Sequence, residues 1–116
     1  MDQSNLARSL DFPSPALLDT RRYEIGRYGR LRLAFLREKH PDVYTTLIFT
    51  GELGSRLVEF DAACREKVLS LTEELAWREG ITEQLKRTDQ LAWVGHMNNL
   101  RHRAEEIVLR DMVCSL

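Results

Sequence analysis

The sequence predicts an all-α fold: a small helical bundle with two long antiparallel helices, two shorter helices and an N-terminal arm. Three observations predict it. From Tyr28 onward apolar residues recur at steps of three and four, the spacing of one helical face. Pro41, Gly51 and Gly80 punctuate those periodic stretches as helix starts and stops. No stretch alternates with a period of two for long enough to propose a sheet. The segment Thr45–Thr50 is β-prone in composition, but its flanks read as helix.

Residues 1–26 carry Pro13 and Pro15 and little periodicity, and read as an arm with at most a short helix near Asn5–Leu10. The rest, 27–116, reads as one helical domain. In the first helix Tyr28, Leu31, Phe35 and Leu36 share a face, and the helix ends before Pro41, because the residue preceding a proline disfavours the α region. Pro41 suits the first turn of a second helix, with Asp42 beside the positive end of its dipole and Val43, Tyr44, Leu47 and Ile48 on its apolar side. Gly51 ends it.

The third helix is long. Leu53, Leu57, Phe60, Cys64, Val68, Leu71 and Leu75 make a stripe of about six turns, starting somewhere in 52–56 and ending at Gly80, with Ile81 placed for the apolar contact of a glycine-terminated helix. Thr82 reads as the N-cap of a short turn through Leu85 and Lys86, and Asp89 as the N-cap of the last helix. There Trp93, Met97, Leu100, Ala104, Ile107 and Val108 form the buried stripe, continuing to Met112. The short 80–89 connection makes the two long helices antiparallel neighbours. A homodimer is a further way for exposed helices to bury leftover surface.

With 116 residues, 43% hydrophobic and 30% charged, the chain can bury a core without disulfide or metal. No apolar run approaches the roughly 18 residues of a membrane span, and Met1–Asn5 is polar rather than signal-like, so the expected location is the cytoplasm and no membrane partner is expected. Cys64 and Cys114 form no CxxC pair, and Cys64 falls on the core stripe as a packed hydrophobe.

Catalytic and cofactor chemistry find no support. His102, Glu105 and Glu106 have ligand-like spacing on one helix, but a bundle metal site needs matching ligands opposite. The third helix offers Glu59, Asp61, Glu66, Glu73 and Glu74 with no histidine at the required spacing, so a solvated, salt-bridged face is expected and no metal. No histidine has a context that would activate Cys64 or a serine, so no enzyme activity is expected. Gly26 and Gly29 flank a basic segment, but a GxxG without a preceding strand is a weak phosphate signal.

Charge is the strongest compositional clue. The net charge is −1, yet residues 21–41 sum to +5 and residues 42–80 to −4. The candidate basic binding face is Arg27, Arg30, Arg32 and Arg37, of which Arg27, Arg30 and Arg37 are neighbours on the helical wheel while Arg32 points elsewhere. The candidate acidic binding face is Glu59, Glu66, Glu73 and Glu74. Asn98, Arg101 and Glu105 form a candidate polar stripe on the last helix, with an intrahelical Arg101–Glu105 pair as its plainer explanation.

Three separated blocks, YGRLRLAFLREKHPDVYTTLIFTGEL (28–53), GITEQLK (80–86) and WVGHMNNLRHRAEEIVL (93–109), resemble the transposon-encoded TnpV family in order and spacing. The resemblance runs from about Ile25 to the C-terminus, includes the final Val113-Cys114-Ser115, and leaves out the arm. It implies an accessory protein of a bacterial conjugative or transposable element and carries over no catalytic residues. Two functions follow as expectations. In the first, the protein acts by binding another protein, one form being an anti-CRISPR-like inhibitor that presents acidic surface to a host defence nuclease. In the alternative, the arginines of the first helix bind DNA for excision, integration or regulation, with affinity falling steeply as salt rises.

Overall fold

A computed structural model of the chain describes residues 23–116; the expected short helix near Asn5–Leu10 and most of the arm lie outside the described residues. Among the described residues five α-helices follow in order: α1 Arg27–Lys39, α2 Pro41–Thr50, α3 Leu53–Glu79, α4 Glu83–Thr88 and α5 Gln90–Val108, the last continuing into a π-helical turn, Leu109–Val113. Among the described residues there is no strand, and Thr45–Thr50 is helical. No helix among them is long and apolar enough to cross a membrane. The chain divides into two compact units at Asp61, and the division falls within α3.

In the first unit the core is Ile25, Leu53 and Leu57, flanked by the half-buried Tyr23, Leu33, Tyr44, Leu47, Ile48 and Val58. Pro41 opens α2 with Asp42 in its first turn, and α2 has no fully buried side chain. Gly51 closes it at φ +73°, letting the Glu52 N–H donate to the Leu47 carbonyl at 3.0 Å.

One face assignment in α1 is corrected. Leu31, expected inward, is 40% exposed, while Gly29 and Leu36 are buried and Leu33 is half-buried. The cause is the contact with α3: a Cβ on Gly29 would lie 2.9 Å from the Leu57 carbonyl oxygen, so α1 meets α3 through its glycine. That turns the 29–33–36 side inward and Leu31 outward.

The second unit holds the C-terminal part of α3 together with α4 and α5. Cys64, Val68, Thr72 and Ala76 of α3 are buried, as are Leu100, Ala104 and Val108 of α5. The Thr72 hydroxyl donates to the Val68 carbonyl of its own helix at 2.7 Å, so that buried hydroxyl is not stranded. Gly80 ends α3 at φ +73°, with the Ile81 N–H donating to the Ala76 carbonyl. Thr82 and Asp89 cap α4 and α5 by accepting from the Leu85 and Ala92 amides, as the sequence implies. The Lys86 ammonium lies 4.7 Å from the ring centre of Trp93, fastening α4 to α5.

The stretch to Met112 is not all α-helix. In an α-helix five residues advance about 500°, which would set Val113 about 140° away from Val108. The wider π turn, with the Cys114 N–H donating to the Leu109 carbonyl five residues back, brings Val113 round to be buried at 1% exposure.

Candidate functional site

The start of α1 is built from Gly26, Gly29 and Asp61, three residues whose joint role the sequence does not reveal. Its N-cap residue is Gly26, with no side chain to offer, and the first turn holds no acid. The cap comes from α3 instead. Asp61, 4% exposed, accepts at Oδ1 from the Tyr28 amide at 2.9 Å and from the Gly29 amide at 3.0 Å. A carboxylate at a helix N-terminus satisfies orphan donors and faces the positive end of the dipole. Glycine at 26 makes room, because a Cβ there would overlap the Asp61 carboxylate. The Gly26–Gly29 pair is thus the seat of the protein's own carboxylate, which already occupies the place a phosphate would take. The available signal is Asp61's register: four residues after Leu57 and three before Cys64, on the core stripe.

Beside it, still within the first unit, α1, α2 and α3 border a groove of roughly 440 Å³. Among the described residues its apolar lining is Leu36, Val43, Leu47, Leu57 and Phe60, and its polar lining is Arg32, Arg56 and Glu59. The Arg32 guanidinium lies 4.8 Å from the ring centre of Phe60 and 5.4 Å from that of Phe35, which fixes a cation against the groove wall. Arg56 pairs with Glu52 one turn back at 3.1 Å.

Arg32 lies apart from the other three candidate arginines, as the helical wheel implies. Arg27, Arg30 and Arg37 lie exposed on the outer side of α1, and Arg32 is half-buried at the groove. Glu59 lines the groove in the first unit, while Glu66, Glu73 and Glu74 belong to the second. At about 100° per residue, Glu66, Leu69, Ser70, Glu73, Glu74 and Trp77 span an arc of about 140° on α3. Trp77 is 86% exposed and Leu69 66% exposed within that arc. Glu74 pairs with Arg78 at 2.5 Å. A tryptophan left almost wholly in water on an otherwise acidic face is the residue that reading for charge alone misses.

On α5, Asn98 and Arg101 are exposed and Glu105 is half-buried, its carboxylate 3.4 Å from Nδ1 of His102. His96, Asn99, His102, Arg103 and Glu106 of α5 border a polar cleft with Glu79, where Arg103 pairs with Glu79 at 2.6 Å. Among the described residues no three histidine, cysteine or acidic side chains converge as metal ligands would. At the C-terminus the hydrogen bond between exposed Arg110 and Asp111, 2.8 Å long, raises the guanidinium pKa and lowers that of the carboxyl. Cys64 is fully buried and forms no disulfide with Cys114.

No curated protein matches the chain, and no solved structure does. The family described as transposon-encoded protein TnpV matches residues 7–113. That match begins well before Ile25 and so takes in most of the arm expected to lie outside the resemblance. Spanning nearly all of the sequence, it shows that this chain belongs to the transposon-encoded TnpV family.

Proposed function

We propose that the protein is a non-enzymatic accessory of a mobile element that works by binding another protein through the outer face of α3 in the second unit. The observation that carries this reading is Trp77, 86% exposed, with Leu69 beside it among Glu66, Glu73 and Glu74. Large apolar side chains left in water mark contact surfaces, and tryptophan is enriched among residues that dominate binding energy. The acids select the partner's charge. A second copy laid across this face would set Glu66, Glu73 and Glu74 against their own equivalents, so the face favours a basic partner over self-association.

A basic partner carried by the host and met by invading DNA includes a defence nuclease, whose nucleic-acid channel is positively charged. Inhibition of such a nuclease in the cytoplasm, an anti-CRISPR-like role, is the concrete form of the proposal. The test is cleavage by the host's purified RNA-guided nuclease with increasing amounts of the protein. Inhibition by the natural chain that disappears on Trp77→Ala and on Glu66, Glu73 and Glu74→Lys sustains the role. Undiminished cleavage at saturating protein rejects it.

The alternative, DNA binding, has its own support in Arg27, Arg30 and Arg37, which share the outer side of α1. Anisotropy of labelled DNA at two salt concentrations decides it: alanine at those three positions should flatten the salt dependence by roughly one counterion for each phosphate no longer neutralised. An unchanged slope removes this reading.

A further inference from the structure

Several exposed charges of the helices are answered close by: Arg56 by Glu52 and Arg78 by Glu74, each one turn away in its own helix. Arg30 and Arg37 of α1, and Glu66 and Glu73 of α3, are not answered in this way. All four are exposed, and none has an opposite charge three or four positions away in its helix. Among the described residues none of the four enters an ion pair. The two like-charged pairs share one spacing. Seven residues cover about 10.5 Å and about 700° of helix, so Arg30 and Arg37 stand within about 20° of one another, as do Glu66 and Glu73. Each pair brackets small or apolar side chains open to water: Leu31, 40% exposed, and Ala34 on α1, and Leu69 and Ser70 on α3.

We propose that a second copy of this chain docks here head to tail, the outer face of its α1 on the outer face of α3 in the second unit, with Arg30 opposite Glu66 and Arg37 opposite Glu73. Equal spacing lets a single helix-to-helix contact make both pairs at once. With the two helices running in the same direction, the helical wheel sets Leu69 on the same side of the paired charges as Ala34 and Leu31, so apolar surface meets apolar surface. Contact between two like faces sets Glu66 and Glu73 against their own equivalents; contact between unlike faces sets them against arginines. The docking also covers Leu31, which the packing of α1 on α3 turns outward. It uses the α3 face of the proposed function without depending on that function.

The experiment is sedimentation equilibrium of the full chain at low and high salt. The natural chain should associate at low salt and come apart as salt rises. Arg30→Glu with Arg37→Glu, or Glu66→Arg with Glu73→Arg, should weaken association roughly tenfold or more, because two attractive pairs become repulsive. All four changes in one chain leave the net charge at −1 and exchange the signs of the two faces, so association should return. Arg87→Glu with Arg101→Glu, at exposed positions on α4 and α5, shifts the net charge as much as the α1 variant and should leave association unchanged. A natural chain that stays monomeric at millimolar concentration in low salt overturns the proposal. So does failure of the chain with all four changes to associate, or an equal loss in the α1 variant and the Arg87 and Arg101 variant. A monomeric chain that still inhibits the nuclease removes this contact and leaves the proposed function; association that passes these tests without inhibition does the reverse.

Discussion

The starts of α1 and α5 meet the same physical demand by different means. α5 is capped from the residue directly before it: Asp89 accepts from the Ala92 amide at 3.1 Å, at an exposed position where water can take over. α1 is capped from 32 and 33 residues away, by a carboxylate that is 4% exposed and accepts from two amides at one oxygen. The first arrangement stabilises a helix end and nothing more. The second also fixes where α1 lies on α3, because the amides lose their acceptor if the helices part. A local cap marks a boundary; a distant buried cap holds a tertiary position.

Removing the distant cap should have the largest effect. Asp61→Ala leaves the Tyr28 and Gly29 amides buried without their acceptor, at roughly 1–3 kcal/mol each. Urea unfolding should show a loss of about 3 kcal/mol, and the α1 amides should lose protection from hydrogen exchange. A loss under about 1 kcal/mol would mean that water replaces the carboxylate and that the clamp is not holding the helix. Gly26→Ala sharpens the test through non-additivity. Alone it forces a Cβ into the Asp61 carboxylate; made in the Asp61→Ala protein, where that carboxylate is gone, it should cost little more.

Gly29→Ala comes next and separates space from charge. Its Cβ would meet the Leu57 backbone oxygen at 2.9 Å and the Ile25 side chain, so α1 must move off α3, at about 1–3 kcal/mol. Backbone cannot turn aside as a side chain can, so this cost should persist in the Asp61→Ala background. If the double variant is no worse than Asp61→Ala alone, the glycine serves only the cap.

The same contrast explains what can be read in advance. Every helix boundary set by a neighbouring residue is legible in the sequence: Pro41 and Asp42, Gly51, Gly80 with Ile81, Thr82, Asp89. Each acts within one turn, where chain order and spatial order coincide. The face of α1 is misread at Leu31 because Gly29, with no side chain to count as apolar, is what packs against α3. Asp61 sits among the surface acids of α3 on any reading of charge, since the amides it accepts from lie more than thirty residues back. Likewise the helical wheel sets Arg32 apart from its neighbours, but its resting place on Phe60 needs the fold. Of the candidate binding faces, the acids of the second unit are legible by composition; Trp77, beside them, is not, because a tryptophan on a long helix is ordinarily counted toward the core.

Losing the local cap should cost less. Asp89→Ala removes one acceptor from a solvated helix end, for about 1 kcal/mol by urea unfolding. Asn at the same position should restore most of it, because an amide oxygen caps nearly as well as a carboxylate. A loss as large as that of Asp61→Ala would erase the distinction between the two caps.

The smallest effect tests whether sequence separation or burial gives Asp61 its weight. Arg103 and Glu79 are 24 residues apart and pair at 2.6 Å, so this contact is also a long-range one. Yet both side chains are about half exposed, so each is solvated before and after the pair forms. Arg103→Ala and Glu79→Ala, combined in a double-mutant cycle, should give a coupling of roughly 0.2–1 kcal/mol that shrinks as salt is added. A coupling near that of the Asp61 clamp would make distance along the chain the decisive variable. A small one leaves burial: an exposed pair can trade its partner for water, and the amides of Tyr28 and Gly29 cannot.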